Sequence, residues 1–128
     1  MKRSILLAAA LLAAPAFAQP ARPITTAEFV AKAEPLMKKS MVSLMFSSDA
    51  KRLMGQLDAA AKATRAQQET DVAAGRKPAA CLPAKGKAKV DARELIAHLK
   101  AMPAVEQKRS LQAGFTSYAA RKYPCPKA

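Results

Sequence analysis

Apolar residues in this chain recur at three- and four-residue intervals, the spacing that places them on one face of a helix. In TTAEFVAKAEPLMKKSM, the residues Phe29, Val30, Ala33, Leu36 and Met37 fall on such a face. Thr25 stands three positions before Glu28, the arrangement of a capping box, so a helix is predicted to start there. Pro35 lies inside the pattern and is predicted to kink or split it, because it lacks an N–H and crowds the preceding turn. The next stretch, VSLMFSS, is apolar, and Ser47 or Ser48 can cap the helix after it. The longest helical signal is DAKRLMGQLDAAAKATRAQQETDVAAGRK, with Leu53, Leu57, Ala60, Ala61 and Thr64 along one face. Asp49 sits in its first turn and Gly75 just past its end, where the helix dipole and the C-cap favour them. Beyond Thr64 the large apolar residues almost vanish, so the far half of this helix is expected to project into solvent or reach a partner.

Residues 76–90, RKPAACLPAKGKAKV, read as the clearest loop, with two prolines, one glycine and alternating lysines. DARELIAHLKAM comes next, opened by Asp91 and Glu94 at capping-box spacing, with Leu95, Ile96, Leu99 and Met102 toward a core. Pro103 is predicted to stop that helix. Val105, Leu111, Phe115, Tyr118 and Ala119 continue at near-helical spacing, with Ser110 as a cap, until Pro124 and Pro126 close the chain. No run alternates with period two, which argues against strands. The expected fold is all-α, a small bundle of about four helices.

The first residues alter the bookkeeping. MKRSILLAAALLAAPAFAQP has a charged start at Lys2 and Arg3, a short apolar run from Ile5 to Ala14, and an Ala16-Phe17-Ala18 cleavage pattern. The run is about half the roughly 20 residues that a spanning helix needs, so it reads as a secretory signal rather than an anchor. Residues 1–18 are assigned to the signal peptide, 19–24 to an extended lead-in, and 25–128 to a single helical domain. Removing residues 1–18 takes away Lys2 and Arg3 and no acid, leaving 20 basic and nine acidic groups and a net charge of +11. A basic surface invites anionic partners. Export, expected here to the periplasm, weakens the nucleic acid option, and two tyrosines without tryptophan leave little to stack on bases.

Export also bears on the thiols. In an oxidising compartment two cysteines pair by default, and with only two the bridge is Cys81–Cys125. It would tie the proline-flanked loop to the end of the chain and serve as one staple on an ordinary core.

Candidate chemistry is sparse. His98 is the single histidine, and its expected place is on a helix surface or packed in the core, since acid–base and zinc sites need several convergent groups. The carboxylates are few and separated, and AKGKAKV lacks the phosphate-loop pattern. No catalytic residue, metal site or cofactor is assigned. Met37, Met41, Met45, Met54 and Met102 could line an adaptable groove, but at helical spacing the expectation is that they fill the core. The sequence points to a binding module rather than an enzyme. Lys85, Lys87 and Lys89 form the candidate partner-binding loop.

CLPAKGKAKVDARELIAHLKAMP and the later YAARKYPCP resemble the Tai family of periplasmic immunity proteins. The shared positions are Cys81, Pro83, Leu95, Ile96, Leu99, Pro103, Pro124 and Cys125. They describe how a disulfide ties a loop to the end of a helix. That family protects bacteria against cell-wall amidase effectors delivered by type VI secretion, so the resemblance implies an amidase effector, or another acidic envelope protein, as partner. The alternative is a general periplasmic helical module, such as a stress chaperone or a binder of anionic envelope polymers. Association with a membrane surface and homodimerisation stay open at this point, and nucleic acid is not expected as a partner.

Overall fold

The computed structural model describes residues 22–127. The secretory leader assigned to residues 1–18 lies outside the described residues, as do residues 19–21 of the lead-in. Six helices occur in the order α1 (Thr26–Met37), α2 (Met41–Met45), α3 (Ser48–Ala73), α4 (Ala92–Ala101), α5 (Ala104–Gln107) and α6 (Leu111–Lys122). Four are of ordinary length, and α2 and α5 are single turns beyond the expected count of about four. The sole β feature among the described residues is an isolated antiparallel bridge between Thr25 and Ser110.

Side chains set most of the helix starts. Thr25 and Glu28 form the capping box, with the Glu28 N–H donating to Thr25 Oγ1 (3.1 Å) and the Thr25 N–H to Glu28 Oε2 (2.9 Å). Ser40, Ser47, Asp91 and Ser110 cap α2, α3, α4 and α6 in the same way, each accepting from an N–H three residues on. Glu94 departs from its expected capping role. Its carboxylate accepts from Lys122 Nζ (2.8 Å) and from the Tyr118 hydroxyl (3.3 Å), which ties the start of α4 to the end of α6. At the other end of α3, Gly75 adopts φ 71°, and the Arg76 and Gly75 N–H groups return to the Asp71 and Val72 carbonyls. That double closure is a Schellman motif, which a residue with a side chain could form only under strain.

The helical pattern around Pro35 is divided, but three residues beyond the proline rather than at it. Pro35 sits in the last turn of α1, which ends two residues later, and the chain restarts at the Ser40 cap of α2. The end of α4 is closed from outside by Gln107, whose Nε2 donates to the Lys100 and Met102 carbonyls (3.1 and 2.9 Å).

The core joins Phe29, Val30 and Ala33 of α1, Leu53 and Ala60 of α3, Leu95 and Leu99 of α4, and Leu111, Phe115, Tyr118 and Ala119 of α6. Leu99 is wholly enclosed, at 0% exposure. Where α1 crosses α6 the approach is close. A Cβ on Gly114 would stand 2.5 Å from Thr26 Oγ1 and 3.0 Å from Leu99 Cδ2. Thr26 is fully buried there, donating its hydroxyl to the Ser110 carbonyl (3.1 Å) and its N–H to the Arg109 carbonyl (2.9 Å). Spacing alone puts Val105 on the apolar face of the last helical stretch. It lies instead on the one-turn α5 and is exposed, because four residues are too few to bury a face.

Candidate functional site

Two surface regions carry features beyond those the fold requires. The first is the loop between α3 and α4. Cys81 and Cys125 are bonded, with Cα atoms 4.9 Å apart, within the range a disulfide spans without backbone movement. The Cys81 N–H donates to the Tyr123 carbonyl (2.9 Å), so the staple sits on a backbone contact as well.

From there the loop is gripped at both ends. On sequence alone the far half of α3 should project into solvent or reach a partner. Beyond Thr64, whose hydroxyl shares a hydrogen bond with Thr116 of α6 (2.9 Å), most of its residues are exposed as expected, and its half-buried Arg65 and Gln68 hold the loop. Gln68 bonds both backbone groups of Leu82: its Oε1 accepts from the Leu82 N–H (2.8 Å) and its Nε2 donates to the carbonyl (3.4 Å). Arg65 donates to the Pro83 carbonyl (2.8 Å). Ala80 and Leu82 are buried beneath this clamp. At the other end, the Tyr123 hydroxyl accepts from the Lys89 N–H (3.0 Å) and donates to the Lys89 carbonyl (3.2 Å). Between the clamps, a turn from Ala84 to Lys87 closes with Gly86 at φ 84°. Lys85, Lys87 and Lys89 are all exposed on this segment. The structure thus gathers the three lysines and both cysteines into one stapled unit. Arg65, Gln68 and Tyr123, which fix it, carry no local sequence signal, since their partners lie 14 to 34 residues away.

The second region is an apolar groove of about 510 Å³ between α1, α2, α3 and α4. Phe29, Ala33, Leu53 and Leu95 form its floor; Leu36, Met37, Leu44, Met45, Met54, Leu57 and Ile96 form its walls. Here the expectation that the methionines fill the core fails. Met41 is 74% exposed and Met54 64%, and Met37 and Met45 also reach the surface; Met102 alone of the five packs against the core. Phe46, just past α2, is 82% exposed. The physical reason is the length of α2: a five-residue helix with one polar position cannot hide all its apolar side chains against one neighbour. A readable signal existed, because KKSMVSLMFSSDAKR sets an apolar run between two pairs of cations with no room for a full amphipathic helix.

His98 sits half-buried on α4. Its Nε2 lies 3.0 Å from Ser117 Oγ, and its ring meets Tyr118 edge-on at 5.9 Å. Burial, and then the nearby Arg121 charge, hold its pKa below the ordinary 6.5. Ser117 lies within α6, where neighbouring N–H groups are bonded along the helix. The backbone N–H groups beside this Ser–His pair are therefore engaged within the helix. Lys122 bonds Glu94 and Tyr118 and lies 5.7 Å from the Tyr118 ring centroid. Its ammonium is held charged well above the ordinary range, first by Glu94, and Glu94 is correspondingly held below its own by Lys122. Among the described residues no three His, Cys, Asp or Glu side chains converge as a metal set would.

No protein-family model, no curated protein and no solved structure matches the chain. Among the described residues, no helix is long and apolar enough to cross a membrane.

Proposed function

We propose that this chain is an exported periplasmic interaction protein without catalytic turnover, which presents residues 82–90 to an acidic surface on a protein partner. The observation that carries this reading is the double clamp: Gln68 and Arg65 hold one end of the loop and Tyr123 the other, above the Cys81–Cys125 staple. A segment ordered before binding loses little conformational entropy when it binds. Its three exposed lysines supply charge that steers an acidic partner and sets register. The resemblance of residues 81–125 to the Tai family makes a cell-wall amidase effector the first partner to test.

A second reading, a general helical module of the chaperone type, draws on the apolar surface around α2, since exposed apolar patches mark interaction sites. The two separate on specificity. Affinity capture from envelope extract should yield a discrete acidic protein in the first case, and a broad set of proteins or anionic polymer in the second. With the captured partner purified, replacing Lys85, Lys87 and Lys89 together by Ser should slow association and flatten its salt dependence, with the thermal midpoint unchanged. Equal association of variant and parent at every salt concentration would sink the loop reading.

A further inference from the structure

We propose that the groove between α1, α2, α3 and α4 is a second docking site, whose occupant is an acidic amphipathic helix of a partner protein. The inference stands apart from the lysine loop and can fail without it. Three observations carry it.

The first is length. Groove-lining residues run from Phe29 to Met37 on α1 and from Ala50 to Leu57 on α3. At about 1.5 Å per residue those walls are roughly 10–12 Å long, two turns of a helix, which matches apolar anchors at i, i+3 or i+4, and i+7. The methionine walls suit this mode of recognition, because unbranched thioether side chains repack around an incoming face.

The second is charge. Shallow depressions flank the groove and share its walls, one through Leu36 and Leu53, the other through Met37 and Ile96. Lys32, Lys39 and Arg52 lie on one flank and Lys38 and Arg93 on the other, while Lys51 lines the groove itself. None of these six makes a salt bridge among the described residues. The acids on the flanks are Glu34, paired with Lys100, and Asp49, which faces the positive end of the α3 dipole. An apolar floor between two cationic rims complements a helix with an apolar stripe and carboxylates on either side. It opposes a second copy of this chain, which would bring like rims together.

The third is reach. Met41, Val42 and Phe46 project outside the groove and stay largely exposed. A single acyl chain lying along the floor would leave them wet, whereas a helix about 10–12 Å wide would cover them as it settles.

The test uses the exported protein and a synthetic acidic peptide of about four helical turns, with Leu at i, i+3, i+4 and i+7 and Glu on both flanks. A scrambled peptide of the same composition serves as control. Titration calorimetry and circular dichroism should show the patterned peptide binding and gaining helicity, and the scrambled peptide doing neither. Met45→Ser with Met54→Ser should weaken binding by about tenfold or more, and Lys51→Ser with Arg52→Ser should weaken it mainly at low salt. The triple Ser variant of the lysine loop should bind the peptide as the parent does, which keeps the two sites distinguishable. Equal binding of patterned and scrambled peptides would overturn the proposal. So would binding to anionic phospholipid vesicles through Met45 and Met54 with no peptide binding, or a dimer through those residues that excludes the peptide.

Discussion

The two halves of α3 treat their surroundings in opposite ways. The first half is rich in large apolar side chains, Leu53, Met54 and Leu57, yet it borders an open groove. The second half has almost none and leaves most of its residues exposed, yet its Gln68 and Arg65 hold down the stapled loop. Apolar content therefore does not tell which end of a helix the rest of the chain ties down by hydrogen bonds. The deciding factor is where the rest of the chain returns. The stapled loop returns to the far half through the Arg65 and Gln68 hydrogen bonds, while the near half seats Leu53 in the core and leaves Met54 at the edge of the groove that the single turn of α2 borders. The closed end is the one tied to the stapled loop, and the open end is the one that leaves apolar surface at the groove.

The largest expected effect falls on the closed end. Replacing Cys81 and Cys125 together by Ser should cost about 4 kcal/mol in the chain-entropy account, for a separation of 44 residues. Amide exchange should quicken first around Cys81 to Lys89, and at the groove only with global unfolding. A variant as stable as the parent, by urea denaturation, would mean that the Tyr123 and Gln68 contacts fix the loop without the bond.

Gly114→Ala probes the crossing where α6 meets α1. A Cβ there collides with Thr26 Oγ1 at 2.5 Å and presses on Leu99, both buried. Overpacking of this kind costs about 1–3 kcal/mol, against which a helix regains up to about 1 kcal/mol by losing a glycine. The thermal midpoint should fall. Thr26→Ser, which removes one of the methyl contacts, should recover part of the loss in the double variant.

Much of the scaffold is legible in the sequence. Thr25 with Glu28, Ser47, Asp91 and Ser110 announce the helix starts because capping is local chemistry, and Gly75 announces the end of α3 for the same reason. The disulfide is implied by there being two cysteines. The features that sequence leaves hidden depend on distant neighbours. Periodicity places Met37 and Met54 on an apolar face but cannot say whether anything covers that face. Gly114 reads as an ordinary helix glycine until Thr26 is seen against it. Glu94 has the spacing of a capping residue, and only the fold reveals that Lys122 and Tyr118 claim it. The lysines of the loop are visible in the sequence; the clamps that hold it are not.

Acid should act more gently, and mostly at the closed end. Asp71, Asp91 and Glu94 are held below their ordinary pKa values, first by Arg76, by the Glu94 N–H and by Lys122 respectively, and on α1 Glu28 is lowered by the Thr25 N–H. His98 is lowered by burial. A group with a depressed folded pKa contributes stability that is present above its unfolded value and is lost as pH falls through the folded one. Stability should therefore be flat above pH 6.5, decline slightly below it as His98 charges in the unfolded chain, and fall further once the carboxylates protonate below their ordinary values near 4. Asp91 and Glu94 are exposed and Glu28 and Asp71 only partly covered, so each contribution is small and screened. Thermal midpoints measured from pH 8 to pH 3 check this, and a midpoint that rises on acidification from pH 7 to pH 5 would contradict it. His98→Gln should flatten the first decline alone.

The smallest stability effect belongs to the open end, and its smallness is informative. If the groove walls were core, Met45→Ser and Met54→Ser would each cost several kcal/mol, as deletion of a buried side chain does. Both residues are mostly exposed, so each change should stay within about 0.5 kcal/mol. The double variant should also resist aggregation better, because it shrinks an exposed apolar patch. A loss above about 2 kcal/mol would show that α2 closes over α3 in solution. The contrast between the two halves of α3 would then disappear, and the docking proposal with it. A silent substitution that nonetheless abolishes peptide binding is the opposite outcome. It is the pattern expected when apolar side chains are kept at a surface for a partner rather than for the fold.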